Sequence, residues 1–165
     1  MGVEIERKFL VCSDQWRANV IKQAAFKQGY LARHEAVSVR IRITSDAAML
    51  NLKSGTQGIR RLEYEYPIPL ADAQDMLVQL CDHPAVEKTR YWVEHAGFVW
   101  EVDVFETLNQ GLVVAEIELS TEDQVVPLPE WVGPEVSAHK RYFNACLISY
   151  PYQQWTDAEK NPSAQ

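Results

Sequence analysis

Val3-Glu4-Ile5-Glu6-Arg7-Lys8-Phe9-Leu10-Val11 is the stretch on which the reading of the fold turns. Side chains of a strand point alternately to opposite faces, so Glu4, Glu6 and Lys8 share one face and Val3, Ile5, Phe9 and Val11 the other. Arg7 interrupts the apolar face, which predicts that this face is only partly buried. Taken alone, the stretch reads as a half-exposed strand. Its pattern, however, recurs down the chain.

Val37–Ile43 sets Val39, Ile41 and Ile43 against Arg40 and Arg42. Met49–Lys53 alternates again, with Lys53 on the polar face, and Arg61–Tyr66 places Arg61, Glu63 and Glu65 opposite Leu62, Tyr64 and Tyr66. Lys88 and Arg90 alternate with Thr89, Tyr91 and Val93, Trp100–Val104 carries Glu101 and Asp103, and Leu112–Leu119 carries Glu116 and Glu118. With an extended segment at Tyr30–Arg33, these make eight predicted strands, several joined by short connections such as the Ala96-Gly97 turn. Helical spacing of apolar residues predicts helices over 14–26, 71–80 and 139–148. Pro127, Pro129 and Pro134 predict a loop around Trp131. The polar tail after Pro151 is expected to be anchored by Trp155 and disordered at its end.

Composition bounds the function. The 165 residues are 47% hydrophobic and 24% charged, which describes one globular domain with a real core. A net charge of −7 argues against a general nucleic-acid binder or a protein held on anionic lipid. Any anion site must therefore concentrate its basic residues locally. Three widely spaced cysteines, with no CxxC pair, read as reduced thiols of a cytoplasmic protein. The N-terminal apolar run is too short for a signal peptide or membrane span. The Ser54–Gly58 loop lacks P-loop spacing, and the four histidines lack metal-site spacing.

Six strands thus carry same-sign pairs: Glu4/Glu6, Arg40/Arg42, Glu63/Glu65, Lys88/Arg90, Glu101/Asp103 and Glu116/Glu118. Two arrangements fit them. In one, acidic and basic strands alternate on a salt-bridged outer surface, worth little for stability. In the other, the strands close with these faces inward around a ligand. Carboxylates suit hard Mg²⁺ or Mn²⁺ ions, and guanidinium and ammonium groups suit phosphate oxygens. The ligand then implied is a metal-bound polyphosphate, and the lumen holds water when empty.

Together these residues resemble the CYTH group of the triphosphate tunnel metalloenzymes. The resemblance rests on ExExK at Glu4, Glu6 and Lys8, followed in family order by Gln28-Gly29-Tyr30-Leu31, Arg40/Arg42, Lys53, Glu63/Glu65, Lys88/Arg90, Glu101/Asp103 and Glu116/Glu118. It implies an α+β fold: an eight-stranded antiparallel tunnel or open cup with a charged interior and helices packed outside. It implies a single catalytic domain over 1–150 and a tail over 151–165. By resemblance, Glu4, Glu6, Asp103, Glu116 and Glu118 are metal ligands for Mg²⁺ or Mn²⁺. Lys8, Arg40, Arg42, Lys53, Lys88, Arg90 and Arg141 hold substrate, and Glu4, Glu6, Lys8, Lys88 and Tyr30 are catalytic. Glu63, Glu65 and Glu101 receive no firm role, and Lys140 is the alternative to Arg141. One departure is His139, where relatives often have aspartate.

The activity implied is metal-dependent hydrolysis of a triphosphate, with inorganic triphosphate first. Thiamine or nucleoside triphosphatase, a class IV-type adenylyl cyclase and a non-catalytic polyphosphate-binding module are the alternatives. The expected partner is a small triphosphate, with no nucleic acid and no membrane. The apolar Leu62/Tyr64/Tyr66 face suggests a homodimer.

Overall fold

The computed structural model describes residues 2–55 and 57–161. Nine strands alternate with short helical pieces: β1 (Gly2–Val11), β2 (Val20–Arg33), β3 (Val37–Ile43), β4 (Ala48–Ser54), β5 (Arg60–Ile68), β6 (Val86–His95), β7 (Phe98–Phe105), β8 (Val113–Glu118) and β9 (Val132–Glu135). The helices are α1 (Leu70–Gln79), α2 (Asn144–Ser149) and α3 (Asp157–Lys160). The sheet runs β5-β4-β3-β2-β6-β7-β8-β1-β9, and a further β5–β1 pairing closes eight strands into a ring. All pairings are antiparallel. The expected eight-stranded tunnel is therefore present, although the ring is not a regular barrel.

Closure depends on how β1 divides its edges. Gly2–Ile5 pair with β5, whereas Glu6–Leu10 pair with β8 and Phe9 and Val11 pair with β9. Period-two alternation then sends Glu4, Glu6 and Lys8 into the ring, while Ile5 and Phe9 join the core outside it. Arg7 lies on the outer face over the Phe9 ring, 4.9 Å from its centroid, and pairs with Glu135 at 2.6 Å.

Three apolar layers wrap the ring. Trp16, Trp100, Trp131, Val126, Phe9 and Ile117 form one; Trp100 packs edge-on against both Phe9 and Trp131. A second joins Tyr30, Val114 and Val136 to Tyr142, Leu147 and Trp155. In the third, α1 lays Ala73 and Leu77 on Ile41 and Ala48. Gly29 is required there, because a Cβ would stand 2.8 Å from both Cys81 Cβ and Leu77 Cδ1.

Four sequence expectations are corrected. The predicted helix over 14–26 is helical only at Gln15–Asn19, a 3-10 turn that buries Trp16; from Val20 the chain is already β2. Ala24, Phe26, Gln28 and Tyr30 also fit a two-residue period, and two flanking partners, β3 and β6, settle the ambiguity in favour of a strand. The extended segment at Tyr30–Arg33 is the end of that same strand. Pro134 lies in a ninth strand rather than a loop, tolerated because β9 pairs only with β1. The helix over 139–148 is broken by extended Phe143 into a 3-10 turn, Lys140–Tyr142, and α2. Trp155 is 4% exposed and meets the Tyr142 ring at 5.1 Å, anchoring residues beyond Pro151. The expected disorder at 162–165 lies outside the described residues.

Candidate active site

The ring encloses a cavity of about 760 Å³. Nine lysines and arginines line it, of 16 in the chain, together with eight glutamates. In a protein of net charge −7, this is the local concentration of cations that an anion site demands.

Their order around the ring is segregated. Glu101 on β7, Glu116 and Glu118 on β8, Glu4 and Glu6 on β1, and Glu63 and Glu65 on β5 occupy four neighbouring strands. Lys53 on β4, Arg40 and Arg42 on β3, and Lys88 and Arg90 on β6 occupy the other half, with Phe26, Gln28 and Tyr30 of β2 between them. An acidic arc thus faces a basic arc. Lys8 and Arg61 are the two cations placed within the acidic arc.

Within this lumen most charges are paired. Glu116 binds Lys8 and lies 2.7 Å from Arg90; Lys53 bridges Glu4 at 3.1 Å and Glu63 at 2.9 Å. Arg61 pairs with Glu4, and Arg42 with Glu65 at 2.8 Å. Of the strand-borne charges lining the cavity, two have no ionic partner among the described residues: Glu118 on the acidic arc and Arg40 on the basic one. Arg40 is 6% exposed, and its Nε is buried without an acceptor.

The acidic arc fits a divalent cation by its donor chemistry and register. Glu6 stands directly opposite Glu118 across β1 and β8, and Glu101 opposite Glu116 across β7 and β8. Like charges so placed repel unless a cation lies between them. Burial and the neighbouring Glu116 raise the Glu6 carboxyl above its usual range, and burial with Glu4, Glu101 and Glu6 raises that of Glu118. Among the described residues no three such ligands already converge, because the carboxylates lean on lysines and arginines instead.

Burial opposes charge throughout the basic network, and the neighbours decide the outcome. Lys8 is nonetheless raised by Glu116 and Glu6. Lys53 is lowered by burial and by Arg40 and Arg61. Burial pushes Lys88 down to about 8, with Arg90 reinforcing it and Asp103 opposing. Asp103 and Glu116 remain low despite burial, Asp103 through Arg90 and Lys88, Glu116 through Lys8 and Arg90.

Two residues sit elsewhere than expected. Asp103 is fully buried and does not line the cavity; its oxygens accept from Arg90 at 2.7 Å and from Lys88. It therefore positions two bases rather than facing the lumen. Arg141 points away, 3.6 Å from Glu159 and over the Trp155 ring, whereas Lys140 lines the cavity. Arg61 and Gln28 also line the cavity, although the sequence pattern gave neither a site role. Arg61 was legible from its alternation with Glu63 and Glu65, but stood outside the same-sign pattern.

Fold and site together define a member of the CYTH domain family, which matches residues 2–144; the chain belongs to that family. It is 43% identical over 157 residues to an inorganic triphosphatase of Acetivibrio thermocellus, covering 95% of this chain and all of that one. The crystal structure of the inorganic triphosphatase NE1496 superposes with a TM-score of 0.65 at 34% identity, covering 88% of this chain and 93% of that one. HpAC1 from Hippeastrum, at 14% identity and a TM-score of 0.55 over 73% of this chain and 80% of its own, shares the fold.

Proposed function

We propose that this protein hydrolyses inorganic triphosphate to pyrophosphate and orthophosphate with a divalent metal, Mg²⁺ or Mn²⁺. The observation that carries the reading is an acidic arc facing a basic arc across one cavity, with Glu118 and Arg40 each lacking an ionic partner among the described residues. A cation seats on the first and a phosphate on the second. The two relatives bearing the same activity, at 43% and 34% identity, support it.

In this reading Glu4, Glu6, Glu116 and Glu118 hold the metal, whose chemistry is to relieve charge on the phosphate oxygens and acidify water. Lys8, Arg40, Arg42, Lys53, Arg61 and Arg90 grip the phosphates and stabilise the phosphoryl group in transfer. Lys88, held by Asp103, orients the attacking water, and Tyr30 forms the wall between the basic strands. Water attacks phosphorus, the bridging oxygen leaves with pyrophosphate, and no protein nucleophile is needed. Lys140 contributes a cation from the C-terminal segment.

The catalytic unit is residues 1–150, acting in the cytoplasm, consistent with three free cysteines. No helix of the described residues is long and apolar enough to cross a membrane. Val3, Leu62, Tyr64 and Tyr66, each at least 40% exposed, offer the face for a homodimer. The test is phosphate release from inorganic triphosphate, thiamine triphosphate and ATP with Mg²⁺, Mn²⁺ or EDTA. Fast turnover of inorganic triphosphate, abolished by EDTA, is expected; silence on all three substrates alongside metal-dependent binding would reduce the protein to a binding module.

A further inference from the structure

Gln28 is the anomaly of the basic arc. It lines the cavity at mid-strand on β2, is 0% exposed, and neither Nε2 nor Oε1 has a hydrogen-bond partner. Buried amides are nearly always bonded, and an unbonded one costs folding free energy. Its neighbours in register do not relieve it. Val86 on β6 is apolar, and Arg42 on β3 is committed to Glu65 at 2.8 Å. Diagonally across β3 stands Arg40, whose Nε is likewise buried without an acceptor. The wall thus holds two neighbouring residues that both line the cavity and both carry an unused buried donor.

We propose that Gln28 is a substrate contact, its Nε2 donating to a non-bridging phosphate oxygen seated beside Arg40. This rests on the triphosphatase reading and adds to it a residue that selects substrate. A phosphate oxygen accepts from Nε2 and from the guanidinium together. No ion pair breaks to admit it, unlike at Lys53, Arg42 or Arg90. The choice of a neutral donor has a physical reason. A further cation at a fully buried position beside Arg40, Arg42 and Lys88 would meet desolvation and like-charge repulsion with no carboxylate opposite. An amide supplies the donor without the charge.

Gln28→Met keeps length and removes the amide. It is expected to raise KM for inorganic triphosphate about tenfold while leaving kcat within about twofold, the signature of lost uniform binding. In EDTA the same variant should unfold at a higher temperature than the parent, because an unbonded buried amide has been replaced by an apolar group. A structural role gives the opposite pair, an unchanged KM with a lowered midpoint, and would overturn the assignment. Gln28→Asn, which retracts the amide by one methylene, is the second variant should the first not fold. It too must raise KM, and an unchanged KM refutes the contact. Calorimetric titration of inorganic triphosphate into parent and variant in EDTA separates this inference from the reading beneath it. If the parent binds but does not turn over with metal, the triphosphatase reading fails, and a tenfold weaker Kd in Gln28→Met still upholds the amide contact; equal Kd values sink it.

Discussion

Replacing Glu118 by glutamine is expected to move stability and activity in opposite directions. Glu118 has no cationic partner among the described residues and faces Glu6 directly across β1 and β8. Directly opposed side chains stand about 5 Å apart at Cβ. Glu118 is exposed, so the dielectric near it approaches that of water, and the repulsion is about 1 kcal/mol. Burial with the surrounding carboxylates Glu4, Glu101 and Glu6 raises its carboxyl in the folded state. A raised acid destabilises the fold fully above its folded value and not at all below the unfolded value near 4.5. At neutral pH without metal, Glu118→Gln should therefore gain about 1 kcal/mol, or roughly 2–4 °C in midpoint for a chain of this length. With metal, losing a charged ligand should cut turnover at least about 100-fold. Thermal unfolding in EDTA and in Mg²⁺, beside phosphate release, reads both effects. A lowered midpoint in EDTA, or full metal-dependent turnover, would refute the acidic arc as a cation seat.

Other consequences follow from the same geometry. Lys140→Ala should raise KM for inorganic triphosphate severalfold while Arg141→Ala leaves it unchanged, since only Lys140 lines the cavity; steady-state kinetics decide, and the reverse pattern restores Arg141. Lys88, at about 8, loses its charge as pH rises through that value, so turnover should fall on the alkaline side. Lys88→Arg, charged throughout, should shift that fall upward by at least about one pH unit if it retains activity, and an unmoved limb in an active variant removes Lys88 from the step. Trp155→Ala, deleting a side chain 4% exposed and ringed by Tyr142, Tyr150 and Tyr152, should cost about 3–5 kcal/mol. Chemical denaturation should show it, and a loss under about 1 kcal/mol would mean the segment beyond Pro151 does not support the fold.

What was legible in the sequence was whatever alternation encodes. Glu4/Glu6/Lys8, Arg40/Arg42 and Glu116/Glu118 each declare a strand and a face, and the same-sign pairs left that face either a salt-bridged outer surface or the wall of a ligand site. Period two does not say which strands become neighbours, so the division into two arcs emerges only from the ring order. Val20, Ala24 and Ala25 satisfied a helical period as well, and pairing partners 60 or more residues away decided against it. Asp103 and Arg141 were misplaced for a related reason. Strand parity brings Asp103 to the inner face, but the side chains of Lys88 and Arg90 cover it; Lys140 and Arg141 are adjacent, and the break at Phe143 falls too late in the segment for sequence to tell them apart. Gln28 stood in the Gln28-Gly29-Tyr30-Leu31 motif, but carrying no charge it fell outside the same-sign pattern and received no role.

The divided edge of β1 bears on the order in which the protein is made. Strands β2, β3 and β4 of the basic half follow one another along the chain, and β2–β3 and β3–β4 are antiparallel neighbours that local contacts can assemble early. The acidic seat has no such shortcut. Glu6 meets Glu118 only when the first strand finds the eighth, across more than a hundred residues of chain. During synthesis the basic half of the ring can form while two of its four acidic strands, β7 and β8, are still unmade. On the proposed function, the four carboxylates assigned to the metal come together only in that late β1–β8 closure, so a chain that ends before β8 would lack half of them.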